Sequence, residues 1–258
     1  EDAKKYFISN IIVMLEGTDV LWPEGESYYE LMIFKLSNLS GFLSEKQNDP
    51  VDASKILVSR EQLHFKNFDS NKEIRSILAD LSNPRFGFID PSLGKHANKG
   101  DYSCIITIVR DRKSGSLLVP SFDIKRRKVD SQIDAILRNH SRYNYKLFGV
   151  ETNAFQLVVA DNLRKKSKKE GAYVPVEEVI QSKDKKMRVE GIVPLLLDGT
   201  IIFDSHADSH SQNYNLAIEQ IVTFTGENDK HDDAPDCLSS CVTIAKKKRF
   251  RLITKQTR

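Results

Sequence analysis

The chain has 258 residues, 40% of them hydrophobic, which is enough to bury a substantial core in one large domain or one domain with an appendage. With 39 Lys+Arg against 36 Asp+Glu the net charge is only +3, so a uniformly polycationic binder is excluded and any affinity for a polyanion must come from local clusters. Three cysteines argue against a disulfide framework and for a reducing compartment, and the longest apolar run, IIVML at residues 11–15, is far short of a bilayer span.

In chain order, the opening EDAKKYFISN lacks the basic start, apolar middle and small-residue cleavage site of a secretory signal, and the expected location is a cytoplasm. Residues 1–80 mix YFISNIIVML, the aromatic- and acid-rich LWPEGESYYELMIFKL and the polar SEKQNDPVDAS without clear alternation of strand and helix, and read as an arm or linker. From residue 84 the pattern becomes orderly. RFGFIDPSLG reads as a buried strand stopped at Asp90-Pro91, and CIITIVRD and SLLVPSFDIK, joined by the turn-like RKSG, read as a hairpin. Val129, Ile133, Ile136 and Leu137 mark a helix, YKLFGVE a strand and AFQLVVADNLRKK a second helix. VPVEEVI predicts a short strand, MRVEGIVPLLLDG a helical segment bent at Pro194, and TIIFD another strand. Tyr214, Leu216, Ala217, Ile221 and Phe224 form one more helix face. Finally Ala234, Cys237, Leu238, Cys241, Val242 and Ala245 recur at three- and four-residue steps, the buried face of a closing amphipathic helix. A hairpin-linked trio of strands followed by strand–helix units predicts an α/β domain over 81–258, a mixed sheet flanked by helices.

The acids fall at telling places. HDDAPDCLSS, residues 231–240, puts three carboxylates within five positions beside a histidine. Helix capping accounts for part of it: Asp233 reads as an N-cap, Pro235 fits the first turn, and Asp236 complements the helix dipole. That leaves His231 and Asp232 unexplained. Asp90 ends one predicted strand and Glu151 another, and in open α/β sheets functional groups collect beyond strand ends. Taken singly, each is an ordinary strand-end acid. Together with a third group at a helix start they supply the hard oxygen ligands that a divalent-metal site for phosphodiester hydrolysis needs. Cys237 and Cys241 read as small core residues, because no CxxC pair or spaced histidines accompany them.

The phrases IDPSLGKHANKGDYSCIITIV, FGVETNAFQ and HDDAPDCLSS, in this order and with a closing helix, resemble the C-terminal nuclease domain of tailed-bacteriophage large terminase subunits. LWPE and SGFLSEKQNDP resemble the segment leading into it, so the resemblance covers about residues 20–245. It implies a ribonuclease H-like fold and a metal-dependent endonuclease that cuts concatemeric double-stranded DNA with two divalent cations, Mg²⁺ or Mn²⁺. It implies Asp90 as the central ligand, Glu151 as the second and an acid of HDDAPD as the third, with Asp233 first choice ahead of Asp232 and Asp236. His231 becomes a candidate ligand or water-orienting group, and Asp101 of KGDYS an outer group near Asp90. The expected partners are double-stranded DNA, an ATPase motor domain, a portal protein and a small terminase subunit, in a host cytoplasm and with no membrane.

Two basic clusters suit the phosphate backbone: Arg164, Lys165, Lys166, Lys168 and Lys169, then Lys183, Lys185, Lys186 and Arg188. KKKRFRLITKQTR closes the chain. Each run also fits a plain solvated face, and no recognition-helix motif predicts base readout. The only Gly-Lys, Gly94-Lys95, lacks the rest of a phosphate-binding loop, so ATP hydrolysis is not expected of this chain. Two other readings share these features: a non-catalytic DNA-holding or portal-docking module, and a transposase- or integrase-like enzyme of the ribonuclease H-like group.

Overall fold

The computed structural model describes residues 55–92, 102–152, 157–181, 184–227, 229 and 231–247. LWPE, SGFLSEKQNDP, the LGKHANKGD part of the first motif and residues 248–258 of the basic C-terminal run lie outside them. Seven strands form one sheet: β1 (His64–Lys66), β2 (Arg85–Asp90), β3 (Ser103–Arg110), β4 (Leu117–Lys125), β5 (Leu147–Glu151), β6 (Val176–Val179) and β7 (Ile201–Asp204), in the order β1-β7-β4-β3-β2-β5-β6. Strands β2, β3 and β4 pair antiparallel, whereas β2–β5, β5–β6, β4–β7 and β1–β7 are parallel. Every strand except β3 therefore points the same way, and Asp90, Lys125, Glu151, Val179 and Asp204 all end at one carboxyl edge.

Eight helices accompany the sheet among the described residues: α1 (Lys72–Ala79), α2 (Val129–Tyr143), α3 (Leu157–Lys169), α4 (Lys185–Glu190), α5 (Val193–Leu197), α6 (Ser205–His210), α7 (Gln212–Thr223) and α8 (Asp233–Lys246). None is long and apolar enough to cross a membrane. The central strands read as nearly continuous apolar runs because both sheet faces are covered. On one face Phe86, Phe88, Ile106 and Ile108 pack with Ile218, Leu238 and Val242 from α7 and α8. On the other Ile89, Ile105, Phe148 and Val150 meet Ile133 and Ile136 of α2 and Val159 and Leu163 of α3. Cys104, Cys237 and Cys241 are free thiols buried in the first layer, as expected of core residues.

Three local expectations change. β1 lies on the arm side of residue 80, yet it pairs with β7 as the outermost strand of this sheet. The bend expected at Pro194 falls at Gly191–Ile192, which separates α4 from α5. Pro194 itself sits in the first turn of α5, where its missing N–H has no intrahelical role. The polar SHADSH, not foreseen as regular structure, forms α6, whose N-cap Asp204 accepts the His206 N–H at 3.0 Å.

The β2–β5 pair carries the first two acids, and its register is keyed by glycine. Gly87 lies opposite Phe148, and Phe88 opposite Gly149. A Cβ on Gly87 would stand 2.4 Å from the Phe148 ring, and one on Gly149 2.5 Å from the Phe88 ring and 3.3 Å from Ile244 of α8. Each ring occupies the space its neighbour's missing side chain leaves. Gly149→Ala is accordingly expected to cost about 1–3 kcal/mol by overpacking. Chemical denaturation would read this as a lower midpoint, and an unchanged midpoint would mean that the ring has somewhere else to go.

Candidate metal centre

Side chains alternate along a strand, so Asp90 shares a sheet face with Phe86 and Phe88, and Glu151 shares it with Gly149. That face is the one α8 covers. The Cys237 thiol donates to the Cys104 carbonyl at 3.3 Å, which seats the first turns of α8 against the end of β3, beside Asp90, the partner of Cys104. The helix thereby brings Asp236 in over the carboxyl edge. One oxygen from each of Asp90, Glu151 and Asp236 lies within 4.8 Å of the others. Glu151 and Asp236 are buried, at 6% and 2% exposure, and Asp90 is partly buried. Three convergent carboxylates are a fitting donor set for a hard divalent cation.

The charge in HDDAPD is distributed differently from a simple cap. Asp232, not Asp233, is the N-cap of α8, and its side chain makes no capping bond. The Ala234 N–H is instead accepted by Oε1 of Gln220, a buried residue on α7, at 2.9 Å. With that donor satisfied from outside, the carboxylates serve other contacts. Asp232 accepts from Lys185 at 2.8 Å, and Asp233 stands close enough to act on Asp90 electrostatically. Asp236 is gripped by Arg188, with Nε at 2.9 Å from Oδ1 and Nη2 at 2.5 Å from Oδ2, and Lys185 Nζ lies 3.8 Å away.

These positions set the local electrostatics. Burial, then the Glu151, Asp233 and Asp236 carboxylates, push the Asp90 carboxyl well above the ordinary value, and Lys185 only partly opposes them. Burial disfavours the charged Lys185 ammonium, but Asp232, Asp236 and Asp90 outweigh it and hold the amine above its usual range. The site is an excess of negative charge with two cations leaning on it from α4.

The remaining candidates are dispersed. His231 is exposed, its ring edge-on to Tyr102 with centroids 5.2 Å apart. Asp101 and Lys183 lie outside the described residues. Of the first basic cluster, Arg164 pairs with Glu178 at 2.6 Å and Lys166 pairs with Asp134, whereas Lys165, Lys168 and Lys169 are exposed. Since α3 connects two parallel strands it runs back along the sheet, so this cluster lies at the amino edge, opposite the acids. The second cluster adjoins the acids through Lys185 and Arg188, with Lys186 pairing with Glu227 at 3.2 Å. Sequence reading passed over two contributors. Gln220 carries no local signal, since it acts across helices. The run Lys125-Arg126-Arg127-Lys128 had one: it begins at the last residue of β4, which runs in the same direction as the strand of Asp90, and therefore emerges at the same edge.

The profile of the terminase RNaseH-like domain matches residues 87–247. Among solved structures, the chain is similar to the human cytomegalovirus terminase nuclease domain, Mn-soaked and inhibitor-bound, with TM-score 0.52 and 14% identity over 74% of this chain and 95% of that one. The large terminase nuclease domain of bacteriophage SPP1 with bound Mn gives TM-score 0.49 and 13% identity over 72% and 98%. No curated protein sequence matches significantly.

Proposed function

Because this chain belongs to the terminase RNaseH-like domain family, whose fold is that of the nuclease of viral genome packaging, we propose that it cuts double-stranded DNA by two-metal-ion phosphodiester hydrolysis. One observation carries the reading: three carboxylates from β2, β5 and α8 converge within 4.8 Å at the carboxyl edge of the sheet. Asp90 is the central ligand, flanked by Glu151 and by Asp236, with Asp233 as a further neighbour. The geometry favours Asp236 over Asp233 for the third place. The Mn-soaked cytomegalovirus domain supports a divalent cation for this fold.

Asp90, Glu151 and Asp236 would hold Mg²⁺ or Mn²⁺, which would supply an activated water and charge stabilisation for the leaving oxygen. The protein's own groups do the rest. Asp90 holds its negative charge at a cost set by burial and by three neighbouring carboxylates, and a cation relieves that cost. Arg188 fixes the plane of Asp236 through a two-pronged contact. Lys185, between Asp232 and Asp236, balances the site while no ion is bound. In the packaging assembly the domain acts in the host cytoplasm with an ATPase motor, a portal protein and a small terminase subunit.

Plasmid cleavage in Mn²⁺, Mg²⁺ or EDTA tests the reading. The wild-type chain should nick and linearise DNA only with metal, and Glu151→Ala and Asp236→Ala should each lower the rate on the order of 10³-fold, equivalent to about 4 kcal/mol of lost transition-state stabilisation. Intact plasmid under every metal condition, or variants as active as wild type, would sink it.

A further inference from the structure

The carboxyl edge carries a second charged feature, two strands away from Asp90. β4 ends at Lys125 and continues through Arg126, Arg127 and Lys128 into α2. Arg127 is turned inward, with its guanidinium on Asp123 at 2.7 Å, where Asn213 also donates to that carboxylate at 2.8 Å. The other three differ. Lys125 and Lys128 are exposed, and the Arg126 guanidinium lies over the Tyr102 ring, 4.5 Å from its centroid. Tyr102 in turn meets His231, the residue that leads into the acids of α8.

The placement is rigid. Tyr102 directly precedes β3, and the next residue, Ser103, donates from its hydroxyl to the Lys125 carbonyl at 2.9 Å, tying the platform to the corner. The Tyr102 ring, 4.5 Å from the Arg126 guanidinium, gives that side chain a fixed neighbour at the corner, and arginine is the residue whose planar head suits phosphate. The corner is also at a useful distance. Two inter-strand spacings separate the ends of β2 and β4, about 10 Å, which is roughly three base steps at the rise of B-form DNA. Lys185 of α4 also stands beside the acids, paired with Asp232 at 2.8 Å, so cations accompany the acidic site at this edge.

We infer that Lys125, Arg126 and Lys128, with Tyr102 as the ring beneath Arg126, form a docking site for the sugar-phosphate backbone of duplex DNA about three base pairs from the bond that is cut. The inference rests on the nuclease reading for its substrate. It assigns the DNA track to the carboxyl edge, where these residues lie, and not to the basic end of α3 at the opposite edge. Recognition is electrostatic and indifferent to sequence.

The test is fluorescence anisotropy of a labelled duplex with the full chain in EDTA, titrated across salt concentrations, so that the result does not depend on whether the chain cuts. Lys125→Ala/Arg126→Ala/Lys128→Ala should weaken binding about tenfold at low salt and flatten the slope of log K against log salt by about 0.9 for each phosphate contact removed. Tyr102→Ala should reproduce part of the loss and Tyr102→Phe should restore it, because phenylalanine keeps the ring face. Lys165→Ala/Lys168→Ala/Lys169→Ala should bind like wild type. An unchanged slope in the first triple variant, a loss in the α3 variant as large, or a wild-type chain that does not bind duplex at all would overturn the assignment. Cleavage data then judge the nuclease reading separately.

Discussion

Asp90→Asn is expected to melt at a higher temperature than wild type in EDTA while losing metal-dependent cleavage on the order of 10³-fold or more. The two effects share one cause. Asp90 ends β2 partly buried, beside Glu151, Asp233 and Asp236, and its carboxyl is held well above the ordinary value of 3.8. Between the unfolded and folded pKa values the native protein keeps a proton that the unfolded chain has released. The stability tied to that proton is present below the unfolded pKa and is lost as pH rises through the folded one. Above the ordinary carboxyl range wild type therefore bears the cost of that upward shift, which the neutral amide removes. A gain of about 1 kcal/mol, or roughly 2–4 °C, is the expected scale for a domain of this size. Mn²⁺ should reverse the order, since binding at a hundredfold excess over Kd contributes about 2.7 kcal/mol to wild type and little to the variant. Lowering the pH in EDTA should narrow the gap between them. A variant that melts below wild type without metal, or that gains as much from Mn²⁺, would show that Asp90 is not a strained ligand.

The second large effect is on Arg188. Its side chain is 13% exposed and that of Asp236 only 3%, and the two make a forked contact. Truncation to alanine leaves a buried carboxylate with the Lys185 ammonium 3.8 Å away. Breaking such a pair by removing one partner costs about 3–5 kcal/mol, and the residual lysine places Arg188→Ala at about 3 kcal/mol, or roughly 6–12 °C. Mn²⁺ should recover more of this loss than it adds to wild type, because an ion at the carboxylates supplies the missing positive charge. Arg188→Lys should fall between the two, having the charge without the planar fork. If Arg188→Ala melts with wild type, the pair is a surface ornament and Asp236 is held by other contacts.

Much of this architecture was legible in the residues. Long apolar runs bounded by Asp-Pro or Lys-Ser-Gly punctuation mark β2, β3 and β4, and the three- and four-residue apolar periods of α2, α7 and α8 mark helices. β1 escaped because three residues, HFK, with only Phe65 partly buried, are too short for any period to show. α6 escaped because it buries none of its residues and stands on a cap. The same limits apply to the metal centre. Strand ends point to Asp90 and Glu151 directly, since the strand itself is visible. Choosing among Asp232, Asp233 and Asp236 needs the rotation of α8 on the sheet, which partners outside the motif set, Cys104 for the Cys237 thiol and Gln220 for the Ala234 N–H. Arg188 was grouped with DNA-facing charges because composition records the sign of a run and not the direction each side chain takes.

The reciprocal pairing of Gly87 with Phe148 and Phe88 with Gly149 has a bearing on how the centre can change over time. The offset between Asp90 and Glu151 is dictated two residues below them, by two rings seated in two notches within the core. A slip of one position would set ring against ring and turn Glu151 to the wrong side of the sheet. The tolerance of the chemistry is machined into residues that never touch it.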